Sequence, residues 1–181
     1  MRELTEQELY NALAYAKSID EAVGAKIIEN FHKEQPALAP AIFSIFPQFI
    51  NEKNEEMAYL FMDLCFDILC VFQHAFGQLP SQNEIDSDWL EKQAVLIDTE
   101  LQALNDNAHM DEKIRSKLED RFIERMIEDG TQTGLVRFMN ESIDEFAAES
   151  PSRVDATKTT QTMIFIVIRL FANLYSHAKT V

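Results

Sequence analysis

The chain has 181 residues, a formal net charge of −15 and a sequence pI near 4.6. That charge excludes a nucleic-acid backbone or an anionic lipid surface as a partner, because both would repel it. Hydrophobic residues make up 46%, with thirteen Phe but only four Gly and five Pro, which excludes both a disordered chain and a turn-rich β protein.

The first element is signalled by Thr5-Glu6-Gln7-Glu8, a capping box that predicts a helix from about Glu6. Leu9, Tyr10, Leu13 and Ala16 form its apolar face. Ser18, with Glu21 three residues on, predicts a second start and a bend near 18–20. Ala22, Ala25, Ile27, Ile28 and Phe31 carry that second helix, and Pro36 should end it. Pro40 suits the first turn of a short helix through Phe46, and Pro47 can begin another turn. Ile42, Phe43, Ile45, Phe46, Phe49 and Ile50 should pack inward or form an interface.

Asn54 is the expected cap of the most apolar stretch, Met57 to Phe76. On a helix its hydrophobic side chains point almost all the way round, as in a helix buried in a core or a membrane. Asp63 and Asp67 in its middle, and the lack of a flanking Lys/Arg cluster, favour the core of a protein over a bilayer span. Taking Asp63 as zero, Glu56, Asp67, Cys70 and His74 fall at about 20°, 40°, −20° and 20°. One narrow polar stripe results. It is either the helix edge that meets water or a polar site in which two carboxylates and a His grip a cation or basic group. Cys65 and Cys70, the only cysteines, diverge by about 140° on the helix and cannot bridge within it. Lone thiols in an apolar helix, and a start unlike a signal peptide, lead to the expectation of a cytoplasmic protein.

Gly77 should close this helix, and residues 77–88 read as a loop. Asp86 or Ser87 caps a helix with Trp89, Leu90, Ala94, Ile97, Leu101 and Leu104 on its apolar side. Met110 to Asp129 is a charged helix ended by Gly130, and Thr133 caps an amphipathic one carrying Leu135, Phe138, Met139, Ile143 and Phe146. Ser150-Pro151-Ser152 is a turn before the last helix, about Asp155 to His177, which shares the apolar character of the central one. Between Glu84 and Asp155 lie 19 acidic and 8 basic residues, a net of −11, so most of the charge falls between the two apolar helices. A solvated outer layer around a core pair accounts for this placement.

Arg169 sits mid-way along the last helix, with Lys158, Thr162, Asn173 and Ser176 within about 40° of it. If the two polar stripes face each other, Arg169 bridges Asp63 and Asp67 as a buried bidentate pair. Otherwise it snorkels to the surface or lines an oligomer contact. Glu29 and His32 have the spacing of a di-metal bundle motif, but no second Glu-x-x-His exists to complete it. The sequence has no Gly-flanked Ser, no phosphate-cradling Gly loop and no zinc Cys pattern, so no catalytic centre, metal or cofactor is expected.

The expectation is therefore an all-α, single-domain bundle over 1–181, of about seven to eight helices with two central, nearly all-apolar ones. Its expected role is non-enzymatic protein–protein interaction or regulation, with a protein partner or a homodimer and with neither nucleic acid nor membrane. The alternative is a bundle that binds a small ligand or metal through Asp63, Asp67 and His74, with Arg169 in the same polar cluster. A third reading, a sensor of apolar ligands, needs a pocket enclosed among the Phe side chains.

Overall fold

The computed structural model describes residues 1–86, 88–95 and 132–178. The expected continuation of the Trp89 helix to Leu104 and the charged helix Met110–Asp129 lie outside the described residues. The fold is all-α, and no strand occurs among the described residues.

Helix α1 spans Glu6–Lys17 and starts on the expected box. The Glu8 amide donates to Thr5 Oγ1 at 3.3 Å, and the Thr5 amide donates back to Glu8 Oε2 at 3.0 Å. Arg2 adds two bonds to the Glu8 carboxylate, at 2.6 and 2.8 Å, and with Thr5 it lowers the Glu8 pKa to about 2. Helix α2 spans Glu21–Glu34, and its cap corrects the sequence reading. Asp20, not Ser18, accepts from the Val23 amide at 2.8 Å. The Ser18 hydroxyl turns back to close α1 on the Tyr15 carbonyl at 2.7 Å.

The Pro-rich segment forms one continuous rod, α3, over Leu38–Asn51, instead of the expected short helix through Phe46 and a separate turn from Pro47. Its middle, Ala41–Ile45, is a π-helix flanked by α-helical Leu38–Pro40 and Phe46–Asn51. In an ordinary helix the Pro47 ring would clash with the Phe43 carbonyl four residues back. The wider turn relieves that clash, and the Phe46 amide donates to the Ala41 carbonyl, five residues back. The helix thus passes Pro47 without ending. Ile42, Phe46 and Ile50 point into the core, while Ile45 is 48% exposed.

Helix α4, Glu55–Phe76, is capped by Asn54, whose side chain accepts from the Met57 amide at 2.9 Å. It ends at Gly77, whose φ of 96° suits a residue without Cβ. By length and composition α4 could cross a membrane, with a mean hydropathy of 1.4, but in the fold it packs along α1, α3 and α7. The loop after it is strapped to the α2–α3 corner. Gln35 Nε2 donates to the Pro80 carbonyl at 2.7 Å, and the Ala37 amide donates to Gln82 Oε1 at 2.9 Å. Asp86 then caps helix α5, described over 88–95, by accepting from the Asp88 and Trp89 amides.

Helices α6, Thr133–Ala148, and α7, Val154–Ala178, complete the described bundle. The α6 start is not capped by Thr133. It is held by the N-terminal residues, where Glu3 Oε1 accepts from the Gly134 amide and the Thr133 hydroxyl. Gln132 Oε1 accepts from the Leu4 amide at 2.9 Å, while its Nε2 donates to the Arg2 carbonyl at 2.7 Å. One side-chain amide therefore pairs with the backbone of residues about 130 positions away.

The aromatic contacts set the direction of the core pair. Phe72 of α4 stacks on Phe171 of α7 at 5.4 Å, and four residues further along both helices Phe76 meets Tyr175 at 6.1 Å. At the other end Arg153 donates to Glu56 at 2.7 Å. Contacts that advance together on both helices mean that α4 and α7 run parallel. Phe31, Phe72 and Phe171 form the ring cluster between α2, α4 and α7, all of them buried. Burying side chains of this size stabilises by roughly 1.5–3 kcal/mol each relative to exposure.

Candidate functional site

The polar stripe of α4 is covered unevenly, because its cover is short. Helix α1 has 12 residues, or about 18 Å, against 22 residues and about 33 Å for α4. It runs antiparallel to α4, from Arg2 over the Phe76 ring down to Lys17 at Asp67. There the chain turns into α2, where a Cβ on Gly24 would sit 3.4 Å from Phe66 Cζ. Only the C-terminal half of the stripe lies under this hairpin.

Under it, Asp67 is buried at 4% exposure and accepts from Lys17 Nζ at 2.5 Å. Burial raises the Asp67 pKa, Lys17 pulls it back, and the Asp63 charge adds a further push upward. The Lys17 side chain itself stays mostly in water, and its ammonium reaches from there to the buried carboxylate. Cys70, next along the stripe, is also buried. Its thiol is pushed up to about 12, by burial and then by the Asp67 charge. Cys65 is raised by burial alone. Neither is an activated nucleophile. His74 is exposed and stacks on Tyr15, with ring centroids 4.6 Å apart and planes at 26°.

Arg169 does not bridge Asp63 and Asp67, which corrects that arm of the sequence reading; Lys17 from α1 is the cation at Asp67. The seam explains why. Phe72 lies about 180° from Asp63 on α4, and Arg169 lies about 160° from Phe171 on α7. Because Phe72 and Phe171 meet, the two stripes point away from each other. Asp63, Asp67 and His74 do not gather at one point either. Among the described residues no three His, Cys, Asp or Glu side chains lie where they could hold a metal. Glu29 and His32 take no part in such a group.

Beyond the hairpin the N-terminal half of α4 lies open. Tyr59 is 55% exposed, and its hydroxyl donates to Glu55 at 2.9 Å. Glu55, Glu56 and Asp63 are exposed around it, and Leu60, Met62 and Phe66 are half-buried at its sides. This ledge has an apolar floor with an acidic rim. The chain periodicity marked the stripe but could not show that its cover stops half-way.

A second feature lies at the other end of the bundle, between α5 and the end of α7. It is an open hollow of about 350 Å³, lined by Trp89, Gln93, Asn173, Ser176 and His177. Trp89 stacks on His177 at 5.3 Å with planes at 22°, and Asn173 Nδ2 donates to Gln93 Oε1 at 3.0 Å. In sequence, Asn173 and Ser176 belong to the Arg169 stripe; only the fold adds Trp89 and Gln93. Comparison with known proteins gives no matching family model, no matching curated protein and no matching solved structure.

Proposed function

We propose that this chain is a non-enzymatic protein that works by protein–protein contact, through the open N-terminal half of α4. The observation that carries the reading is Tyr59. It is a large aromatic side chain left mostly in water on the most apolar helix, between half-buried Leu60, Met62 and Phe66. Tyrosine on an apolar floor with a polar rim is the composition of an interface centre. Glu55 and Asp63 at the rim choose the partner's charge, Glu56 being already paired with Arg153. A second copy applying the same face would set acid against acid, so a homodimer through this ledge is disfavoured. A helix presenting Lys or Arg beside apolar side chains fits instead.

The test is an NMR titration with a synthetic Lys/Leu amphipathic helix, read at the Met62 methyl and the Tyr59 ring. The reading requires saturable shifts centred on these residues, weakened by Tyr59→Ala and by Asp63→Lys. Shifts scattered over the acidic surface and insensitive to Tyr59→Ala would overturn it. So would a dimer in light scattering that Tyr59→Ala dissolves, which would assign the ledge to a second copy.

The alternative of a metal or small-ligand site at Asp63, Asp67 and His74 is less well supported. Lys17 pairs with Asp67, and His74 stacks on Tyr15.

A further inference from the structure

We infer that α1 is a detachable cover, which occupies half of the α4 stripe in place of a partner helix and swings aside when a longer helix takes the whole of it. The inference rests on the ledge reading for the identity of the surface, and it adds how that surface is regulated.

Helix α1 is lightly attached and self-sufficient. Of its 12 residues only Ala12, Leu13 and Ala16 are buried, and Leu13 is the one large side chain among them. Helix α6, by contrast, buries Leu135, Val136, Met139 and Ile143. Elements with few buried apolar contacts are the first to open. The bonds that end α1 are its own. The capping box and the Arg2 bonds to Glu8 lie within residues 2–8, and the Ser18 hydroxyl closes the last turn on the Tyr15 carbonyl. Helix α2 has a separate cap in Asp20 and is pinned by Phe31 against Phe171 and by Gln35 on the Pro80 carbonyl. Residues 18–20 thus join a loose helix to a fixed one, the arrangement of a hinge. Swinging α1 out breaks no helix cap on either side. Opening also returns the buried Asp67 carboxylate to water, which offsets the loss of Lys17.

The same helix has the chemistry that the ledge asks of a partner. It lays Lys17, beside Leu13 and two alanines, on an acidic stripe of α4. The open half of α4 continues that stripe, with Asp63 one turn before Asp67 and Tyr59 one turn before Asp63. Helix α4 outruns α1 by about 15 Å, the length of about ten helical residues. A basic amphipathic helix of that length fits the ledge beside α1. One as long as α4 overlaps α1 and has to displace it.

Two buried thiols separate the opening of α1 from the unfolding of the core. Cys70 lies on the stripe beneath α1, and Cys65 points about 140° away from it on the same helix. The experiment labels the unaltered full chain with a thiol reagent under native conditions near pH 8 and reads each cysteine by digestion and mass spectrometry. Each rate is divided by that of the same thiol in denaturant. The inference requires both to be slow, but Cys70 to react at least about tenfold faster than Cys65, since local opening outruns global unfolding. The labelling is repeated with Lys/Leu amphipathic helices of about 10 and 22 residues, whose binding is followed at the Tyr59 ring. The long helix should speed Cys70 at least about tenfold further and leave Cys65 no faster; the short one should shift Tyr59 without speeding Cys70. Equal rates for the two thiols would overturn the inference. So would a long helix that shifts Tyr59 while the Cys70 rate stays unchanged. Failure of both helices to shift Tyr59 would instead overturn the ledge reading, and with it the replacement of α1, while the peptide-free rates still decide whether α1 opens.

Discussion

Lys17→Met isolates what holds the α1–α2 hairpin on α4. The substitution keeps the apolar stem but leaves the buried Asp67 carboxylate without its cation. Removing one partner of a fully buried pair costs about 3–5 kcal/mol. Lys17 is largely solvated, and exposed pairs are worth about 0–1 kcal/mol. The expected loss at neutral pH falls between these, about 1–2 kcal/mol. For a chain of this length it lowers Tm by about 2–8 °C. The pH dependence is the sharper test. The folded-state pKa of Asp67 is already above its ordinary value, so the folded chain takes up its proton first as pH falls. The stability contributed by this carboxyl is full in acid and is lost as pH rises through the raised pKa. Without Lys17 that pKa moves higher and the loss deepens. Thermal melts followed by circular dichroism should therefore show Lys17→Met well below the parent at pH near neutrality and converging with it in mild acid. Adding Asp67→Leu to Lys17→Met should restore stability, because two apolar neighbours need no pairing. A deficit independent of pH, or a double variant less stable than the single one, would refute the reasoning.

Three other outcomes are expected. Phe72→Ala and Phe171→Ala should each cost about 3–5 kcal/mol, and urea unfolding of the double variant should reveal a coupling of about 0.5–1.5 kcal/mol from the stacked pair; additive losses would mean that the rings do not touch. Gln132→Ala removes both bonds to the Arg2 and Leu4 backbone, so amide exchange at Leu4 should accelerate and stability fall by about 1–3 kcal/mol, as expected when a buried donor loses its partner. Cys65 and Cys70 should resist thiol reagents in the native state near pH 8 and react fully in denaturant, because burial raises both thiols.

Where local chemistry decides, the sequence could be read. Thr5 with Glu8, Asn54 and Gly77 each act within one helical turn, and each marks its boundary as expected. Ser18 misled because two possible caps lie two residues apart, and the carboxylate of Asp20 took the amide. Pro47 reads as a start in the sequence, since the π turn that carries a helix past it by clearing the Phe43 carbonyl leaves no mark in the residue pattern. The two central helices were legible from composition, but their relative rotation was not. Two polar stripes suggested a polar seam, whereas the largest gain comes from burying Phe72 against Phe171 and turning both stripes outward. Lys17 could not be found as the partner of Asp67, fifty positions away, until the reach of α1 was known.

The account rests on α4 and α7 running side by side in the same direction, with Glu56 and Arg153 at one end and Phe76 and Tyr175 at the other. Spin labels at exposed sites measure this directly, in Glu56→Cys with Val154→Cys and in His74→Cys with Val154→Cys. The buried Cys65 and Cys70 should stay unlabelled. The parallel arrangement predicts backbone separations of about one helix–helix spacing, 8–10 Å, for the first pair. It predicts at least about 27 Å for the second, from the 1.5 Å rise over the length of α4 between them. A long distance for 56/154 with a short one for 74/154 would mean that the helices are antiparallel, and it would contradict the core pair on which the ledge and the hollow are placed.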